Sequence, residues 1–223
     1  MMKPSPLIYC AAANSHGPIA VVKKLGLDVE IVNAYGKTRS EDFIKMNPCH
    51  CCPTVEMDDG KAIWESNAIL RFLANSAGEK GNELYPVDPV MRAMLDTAMD
   101  WRTTELYTKL PDIGYAAFGF PVSDDKAKEG FAKLLEEVFP ILTGTFLKDT
   151  KFVYSDTPTI ADLSIAPCLT FIQTRPKFWA KVPQEVKDYQ TRVLDAFPET
   201  KESFDMLLNM VTSFEGKEAD LEP

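Results

Sequence analysis

The residues between positions 47 and 74 combine features that could hold a small anionic peptide. Pro53 precedes the strand-like residues 54–56, and a residue without a backbone N–H is best placed at the first position of a strand. Glu65 and Ser66 stand directly before a segment whose apolar residues recur at helical spacing. Because the N–H groups at a helix start are unpaired and carry partial positive charge, a carboxylate could bind there beside the Ser66 hydroxyl. The alternative is that Ser66 only caps the helix.

The elements around this segment predict an α/β arrangement for the first part of the chain. Asp59 and Gly60 indicate a hairpin turn between the strand that follows Pro53 and a second strand that ends at Trp64. Upstream, the pattern predicts a strand, a loop of small residues, a helix ended by a glycine, and a further strand, over residues 7–9, 11–18, 19–24 and 29–32. The order strand, helix, strand, helix, hairpin, helix predicts a mixed sheet with helices packed on it.

This pattern resembles a known family. The run PTVE, a short turn and IWESNAILRFLA are similar to the glutathione-binding half of the cytosolic glutathione transferases. The resemblance implies a thioredoxin-like domain over residues 1–78 and a cis bond before Pro53. It implies that Glu65 and Ser66 bind the γ-glutamyl carboxylate and amine of glutathione. It also implies that Cys52 pairs with the cysteinyl part of glutathione, since any residue there offers its backbone N–H and C=O.

In that family, the residue that contacts the glutathione sulfur lies in the loop after the first strand. Asn14 falls where nu-class and Ure2-like transferases have an asparagine, and where the beta class has a cysteine. Free thiols have a pKa of about 8.5, so a hydrogen bond from the Asn14 amide would favour the reactive thiolate. Ser15 is a second candidate for this catalytic contact, and His16 is a candidate for binding glutathione. The alternatives are that Asn14 bonds its own backbone and that His16 is solvated.

Cysteines cluster immediately before Pro53. Cys49, Cys51 and Cys52 surround His50, but neighbouring ligands converge poorly on one tetrahedral ion, so no metal site is predicted. Reactive thiols and plain loop packing are the alternatives.

Position 51 departs from the family pattern. Many relatives have a basic or amide side chain there, so Cys51 removes an expected contact with the glycine end of glutathione. Lys37, Arg39 or His50 could compensate for that loss.

The remainder of the chain is predicted to be helical. Glycines and prolines interrupt the pattern over a linker at residues 79–89, and residues 90–223 show long amphipathic stretches. Thr159 and Asp162 form a capping-box-like start to an apolar helix, an element that transferase C-terminal domains share.

A pocket for the second substrate is expected between the two domains. Pockets for apolar molecules are lined by aromatic and aliphatic side chains, for which the candidates are Trp101, Tyr107, Tyr115, Phe118 and Phe120. We favour Tyr107 and Tyr115, because their hydroxyls can face a polar cleft while their rings pack.

Composition excludes several classes of function. With 24 basic and 33 acidic residues the net charge is −9, which argues against nucleic-acid binding, because that affinity depends on Lys and Arg. No apolar run reaches the roughly 18 residues of a membrane span, so no membrane partner is expected. Five cysteines, an odd number in a chain of 223 residues, fit a reducing compartment, and we expect a cytoplasmic protein.

The family resemblance, with which these observations agree, implies a glutathione transferase. We expect reduced glutathione as a co-substrate, no cofactor, and conjugation to a small hydrophobic electrophile. A homodimer is expected from the resemblance and from apolar positions on the first helix of the second domain. The alternatives are a non-catalytic domain like the transferase-like part of elongation factor 1B gamma, and a glutathione-dependent thiol or peroxide reductase. A further alternative is a thiol reductase that uses Cys10 or the cysteine cluster. The sequence leaves open the identity of the electrophile and whether the biological task is detoxification, isomerisation or reduction.

Overall fold

The computed structural model describes residues 4–9, 13–34, 36–198 and 201–223. Its first part alternates strands and helices in the order β1 (Pro4–Tyr9), α1 (Ala13–Leu25), β2 (Ile31–Asn33), α2 (Glu41–Met46), β3 (Thr54–Met57), β4 (Ala62–Trp64) and α3 (Ser66–Ser76). This order is the predicted one.

Within the described residues, four strands form one mixed sheet in the order β2-β1-β3-β4. Strand β1 runs parallel to β2 and antiparallel to β3. The β3–β4 hairpin pairs Thr54 with Trp64, and Gly60 takes φ 79° in its turn, a conformation that glycine adopts without a steric penalty. Because Thr54 lies opposite Trp64, the hairpin brings Pro53 and the start of α3 to the same end of the sheet.

Helix α1 begins earlier than the sequence predicts. Residues 11–18 are predicted to form a loop of small residues, yet α1 starts at Ala13 and includes both Gly17 and Pro18. Tertiary packing outweighs the weak local propensity here, because Gly17 lies against another helix. Gly26, at φ 61°, ends α1 as predicted. Strand β2 covers Ile31–Asn33 and leaves out Val29.

Beyond a 3-10 helix (Gly78–Glu83), the described chain is mainly helical. Helix α4 (Pro89–Trp101) continues as a π-helix (Arg102–Leu106) and a 3-10 turn (Tyr107–Lys109). The later elements are α5 (Pro111–Gly114), a 3-10 turn (Tyr115–Phe118), α6 (Asp124–Lys133), a π-helix (Leu134–Val138), α7 (Phe139–Ile141), a π-helix (Leu142–Phe146), α8 (Ile160–Ile165), a 3-10 turn (Ala166–Leu169), α9 (Thr170–Gln173), α10 (Pro176–Lys181), α11 (Gln184–Ala196), α12 (Lys201–Thr212) and a 3-10 turn (Lys217–Asp220).

This architecture confirms the predicted fold class, an α/β thioredoxin-like part followed by an all-helical part. The boundaries at residues 1–78, 79–89 and 90–223 stay a prediction. In the part of the chain that the structure describes, no helix has both the length and the apolar character needed to cross a membrane.

The predicted capping box begins helix α8. The Thr159 N–H donates to Asp162 Oδ2 at 2.8 Å, and Ala161 N–H donates to Thr159 Oγ1 at 3.3 Å. Asp162 is fully buried, and its Oδ1 also accepts from Val153 N–H at 2.9 Å and from the Tyr189 hydroxyl at 3.0 Å. The carboxylate thus fixes the start of α8 to its neighbours, in keeping with its predicted structural role.

Helix α1 packs directly on the backbone of α8. A Cβ atom added at Gly17 would lie 2.6 Å from the carbonyl oxygen of Leu163, so only glycine fits at this crossing. The added Cβ would also lie 3.2 Å from the side chain of Leu70, which is buried at the same crossing. The contact joins the α/β part of the molecule to the helical part.

We predict that Gly17→Ala destabilises the protein by about 1–3 kcal/mol, because the methyl group must push α1 away from α8. Chemical unfolding measures the change. Gly144→Ala is the matched control: a Cβ there meets nothing within 4 Å, so we expect no loss of stability, or a gain of up to about 1 kcal/mol. Equal stability of the Gly17 variant and the wild type would contradict this account of the crossing.

Candidate active site

A cleft of about 530 Å³ lies where the α/β part meets the helical part. The α/β part contributes mostly polar and thiol residues, namely Asn14, Thr38, His50, Cys51, Cys52, Pro53, Glu65 and Ser66. The helical part contributes mostly aromatic residues, namely Arg102, Thr103, Tyr107, Tyr115, Phe118, Phe120 and Phe171. One side of the cleft therefore suits a polar ligand and the other an apolar ligand.

The loop before β3 is held by a buried asparagine. The peptide bond between Cys52 and Pro53 is cis, as the resemblance implied. Asn47 Nδ2 donates to Thr54 Oγ1 at 2.8 Å and to the Cys51 carbonyl at 3.0 Å, and Thr54 Oγ1 donates to the same carbonyl at 2.9 Å. These bonds fix the course of the chain through residues 47–54, so the backbone of Cys52 has a defined position at the cleft.

The start of α3 faces the same cleft. Ser66 is the first residue of the helix, and the capping position belongs to Glu65, whose side chain makes no capping hydrogen bond. The interpretation of Ser66 as a mere cap is therefore wrong. Glu65 has φ 71°, a conformation that costs a non-glycine residue about 1–3 kcal/mol and is concentrated at functional sites.

Asn67 anchors this helix start to the helical part. Its Nδ2 donates to the Met99 carbonyl at 2.8 Å and to Thr103 Oγ1 at 3.2 Å, and its Oδ1 accepts from the Ser164 hydroxyl at 2.6 Å. The residue next to Ser66 is thus tied to both α4 and α8, which gives Ser66 and Glu65 a rigid support.

Asn14 bonds Tyr107 of the helical part, and Tyr107 in turn bonds a second tyrosine. Its Nδ2 donates to the Tyr107 hydroxyl at 2.7 Å, and the Tyr107 hydroxyl lies 2.6 Å from that of Tyr115. Burial, together with the neighbouring Tyr115, raises the pKa of Tyr107 well above its usual range. The phenol therefore stays neutral at physiological pH and acts as a hydrogen-bonding group. Asn14 bonds across the fold, contrary to the alternative that it only bonds its own backbone.

Ser15 and His16 lie elsewhere. Both are buried in α1 and neither lines the cleft. His16 is 5% exposed and packs edge-on against Phe204, with 5.5 Å between the ring centroids. Burial lowers its pKa from 6.5 to about 4, so the ring is neutral at physiological pH. The helical start at Ala13 turns these side chains away from the cleft and leaves Asn14 there. The structure does not bring Ser15 to the catalytic position, or His16 to the glutathione-binding position, for which they are predicted. It also contradicts the alternative that His16 is solvated.

The cysteine cluster is only partly at the cleft. Cys51 and Cys52 line it, whereas Cys49 is exposed to solvent. Burial raises the pKa of the Cys51 thiol, as does the nearby Glu65, and the Asn47 hydrogen bond only partly opposes them. A protonated thiol is a weak nucleophile, so Cys51 is poorly suited to thiol chemistry. Cys10 lies outside the described residues, and its role stays a prediction.

The aromatic side of the cleft includes both favoured tyrosines. Tyr115 lies with its ring centroid 5.4 Å from that of Phe171 and 5.7 Å from that of Phe120, and Phe118 lies 5.6 Å from Phe171. Trp101, a weaker candidate, does not line the cleft and packs instead on Phe146 at 4.8 Å.

Sequence reasoning missed several lining residues. Arg102 and Thr103 lie about one turn before Tyr107 in the same continuous helical segment, a spacing that the sequence does show. Phe171 comes from the distant helix α9 and has no comparable signal. Thr38 lines the cleft. Its neighbours in the chain, Lys37 and Arg39, which were suggested to compensate for Cys51, are exposed. His50, the third residue suggested, does line the cleft.

Comparisons with known proteins agree with this geometry. The family model described as the N-terminal domain of glutathione S-transferase matches residues 7–75. Glutathione S-transferase D7 of Drosophila melanogaster is 30% identical over 161 residues, which cover 69% of this chain and 67% of that protein. Glutathione S-transferase D7 of Anopheles gambiae is 31% identical over 161 residues, covering 70% and 69%.

A solved structure also shares the fold. Glutathione S-transferase isozyme E7 from Drosophila melanogaster superposes with a TM-score of 0.76 at 25% identity, over 93% of this chain and 95% of that one. With sequence likeness, fold and cleft in agreement, this chain belongs to the glutathione S-transferase family.

Proposed function

We propose that the protein binds reduced glutathione on the polar side of the cleft, favours its thiolate, and conjugates it to a small hydrophobic electrophile held on the aromatic side. The observation that supports this most is the combination in one cleft of an uncapped helix start, a fixed backbone segment at Cys52 and an aromatic wall. Family membership sets the reaction class, and the arrangement of residues suggests a role for each part.

The γ-glutamyl end of glutathione would bind at the start of α3. Its carboxylate would accept hydrogen bonds from the Ser66 hydroxyl and from the backbone N–H groups of the first turn, where the helix dipole favours an anion. Its ammonium group would pair with the Glu65 carboxylate. Glu65 and Ser66 line the same cleft, so one ligand could contact both.

The cysteinyl part would lie along the chain at Cys52, whose backbone can pair with an extended peptide. This places the sulfur toward Asn14 at the centre of the cleft. The thiol proton passes to solvent. The thiolate then attacks the electrophilic carbon to form a C–S bond, while the bond to the leaving group breaks and its electron pair departs with that group.

The electrophile would rest against Tyr115, Phe118, Phe120 and Phe171. Their rings exclude water and offer edges and faces to an aromatic or aliphatic molecule. The hydroxyls of Tyr107 and Tyr115 remain able to hydrogen-bond a polar atom of that molecule. A cleft with one polar and one aromatic side suits the detoxification of such compounds.

The protein is also proposed to be a homodimer. Val90 and Met94 share one face of α4, and Val90 is 67% exposed, as is Val87 just before the helix. Exposed apolar patches on one face suit a two-fold contact. We further propose a cytoplasmic location, since five cysteines, an odd number, fit a reducing compartment.

Ser66→Ala is expected to weaken glutathione binding by about tenfold or more, because a hydrogen bond to a charged group contributes roughly 1.5–3 kcal/mol. Isothermal titration with reduced glutathione measures this, with conjugation of chlorodinitrobenzene followed on the same samples. Ser76→Ala is the control, since Ser76 lies at the far end of α3 and its hydroxyl donates to the Phe72 carbonyl at 2.8 Å. Absence of binding by the wild type would support the non-catalytic alternative, and binding without turnover would support a reductase.

Phe120→Ala is expected to raise the KM for chlorodinitrobenzene by up to about tenfold while leaving the Kd of glutathione unchanged, since an aromatic contact contributes roughly 0.5–1.5 kcal/mol. Phe120 is 57% exposed, so its removal should not unfold the protein. Met206→Ala, at a similarly exposed apolar position on α12, is the control and should leave both constants unchanged. An unchanged KM would remove Phe120 from the electrophile pocket.

Val90→Lys is expected to convert a dimer into particles of one chain, 24.9 kDa, because it places a charge in the apolar contact. Light scattering during size-exclusion chromatography gives the mass. Met206→Lys is the control for an added surface charge. A Val90 variant that keeps the dimeric mass would exclude this face as the interface.

A further inference from the structure

Arg102 is a buried cation at the cleft. Arg102 is only 4% exposed, yet it lines the cleft beside Tyr107. A terminal guanidinium nitrogen donates to Asn14 Oδ1 and lies 2.6 Å from the Cys168 sulfur. The guanidinium carbon lies 4.3 Å from the centroid of the Tyr107 ring.

This charge has no carboxylate partner in the described part of the chain. The ion pairs found there involve Arg71, Arg175 and several lysines, but not Arg102. Its buried Nε also has no hydrogen-bond partner among those residues. A buried cation without an anion is costly, so an anion that enters the cleft gains more from it than it would from a paired arginine.

Cys168 does not neutralise this charge. The thiol is fully buried and lies 3.4 Å from the Ser164 carbonyl, to which it can donate its proton. Burial raises the pKa of this thiol, against the opposing effect of Arg102. Cys168 is therefore a neutral neighbour of the guanidinium.

The guanidinium also determines how Asn14 is oriented. Arginine can only donate hydrogen bonds, so the Asn14 oxygen must face Arg102 and the NH2 group must face the Tyr107 hydroxyl. Tyr107 then accepts from Asn14 and can donate to Tyr115. The bonds run in one direction, from Arg102 to Asn14 to Tyr107 to Tyr115, and polarise the Asn14 amide as a donor.

We propose that Arg102 is a positioning residue for the conjugation reaction, which holds the Asn14 amide as a donor and supplies the positive charge that favours the glutathione thiolate. This inference rests on the proposed function. Arg102 acts through Asn14 and through its field in a cleft of low dielectric, where a charge acts more strongly than in water.

Other titratable groups share this environment. Tyr107 and Tyr115 contact the chain of hydrogen bonds, and Cys168 contacts the guanidinium directly. Glu65, His50 and the thiols of Cys51 and Cys52 line the same cleft. The negative charge of Glu65 opposes a second anion, which makes a compensating cation more important.

The test measures the thiol pKa of bound glutathione, from the ultraviolet absorbance of the thiolate against pH, in the wild type, Arg102→Met and Arg102→Lys. We expect Arg102→Met to raise this pKa by roughly one unit or more, since a nearby opposite charge typically lowers a pKa by that amount. At pH values below the wild-type thiol pKa, kcat/KM of Arg102→Met should be about tenfold lower than that of the wild type for each unit by which the thiol pKa rises. The pH profiles of the two proteins should converge at high pH. Arg102→Lys keeps the charge but not the planar donor group. The thiol pKa of glutathione bound to this variant should therefore lie between those for the wild type and Arg102→Met.

Arg192→Met is the matched control. Arg192 does not line the cleft, and its Nε donates to the Lys151 carbonyl at 3.1 Å, so the thiol pKa should not change. An Arg102→Met protein that binds glutathione with the wild-type thiol pKa overturns the inference and leaves the proposed function standing. If Arg102→Met does not fold, a wild-type thiol pKa in Arg102→Lys together with an unchanged pH profile overturns it. A wild type that binds no glutathione overturns both.

Discussion

The contact between helix α1 and the backbone of helix α8 sets the position of the central polar group of the cleft. Gly17 allows the two helices to approach until only a hydrogen atom fits before the Leu163 carbonyl. Asn14 lies nearly one turn earlier on α1, and its side chain reaches Tyr107 at 2.7 Å. Because a hydrogen bond weakens within a few tenths of an ångström, this bond depends on how closely the helices pack. The contact between α1 and α8 therefore serves both the packing of the core and the position of the Asn14 amide.

The rest of the polar wall of the cleft depends on irregular backbone held by buried polar side chains. Asn47 fixes the loop that leads to Pro53, and Asn67 fixes the first turn of α3. Between them, Glu65 adopts φ 71°, and these anchors offset the cost of that conformation. The result is a helix start without a side-chain cap. Its N–H groups remain directed at the space where an anion can bind.

The two walls complement each other physically. The polar wall offers hydrogen bonds and a helix dipole, and the aromatic wall excludes water around them. Electrostatic interactions strengthen where water is excluded, so the aromatic residues support the charge stabilisation that the polar residues provide. The buried Arg102 and the neutral Tyr107 connect the two walls, because both form hydrogen bonds with Asn14.

The sequence by itself determined the local parts of this protein. The Pro53 strand start, the Asp59-Gly60 turn, the helix after Ser66 and the Thr159–Asp162 capping box follow from hydrogen-bonding capacity and backbone freedom, which act over a few residues. These parts were enough to predict the fold class and a resemblance to glutathione transferases. Only the tertiary structure decided which side chains meet. It drew Gly17 and Pro18 into a helix, turned Ser15 and His16 inward, and joined Asn14 to Arg102 and Tyr107, roughly 90 positions away. Such choices depend on long-range packing, which overrides weak local preferences and leaves no periodic signal in the chain.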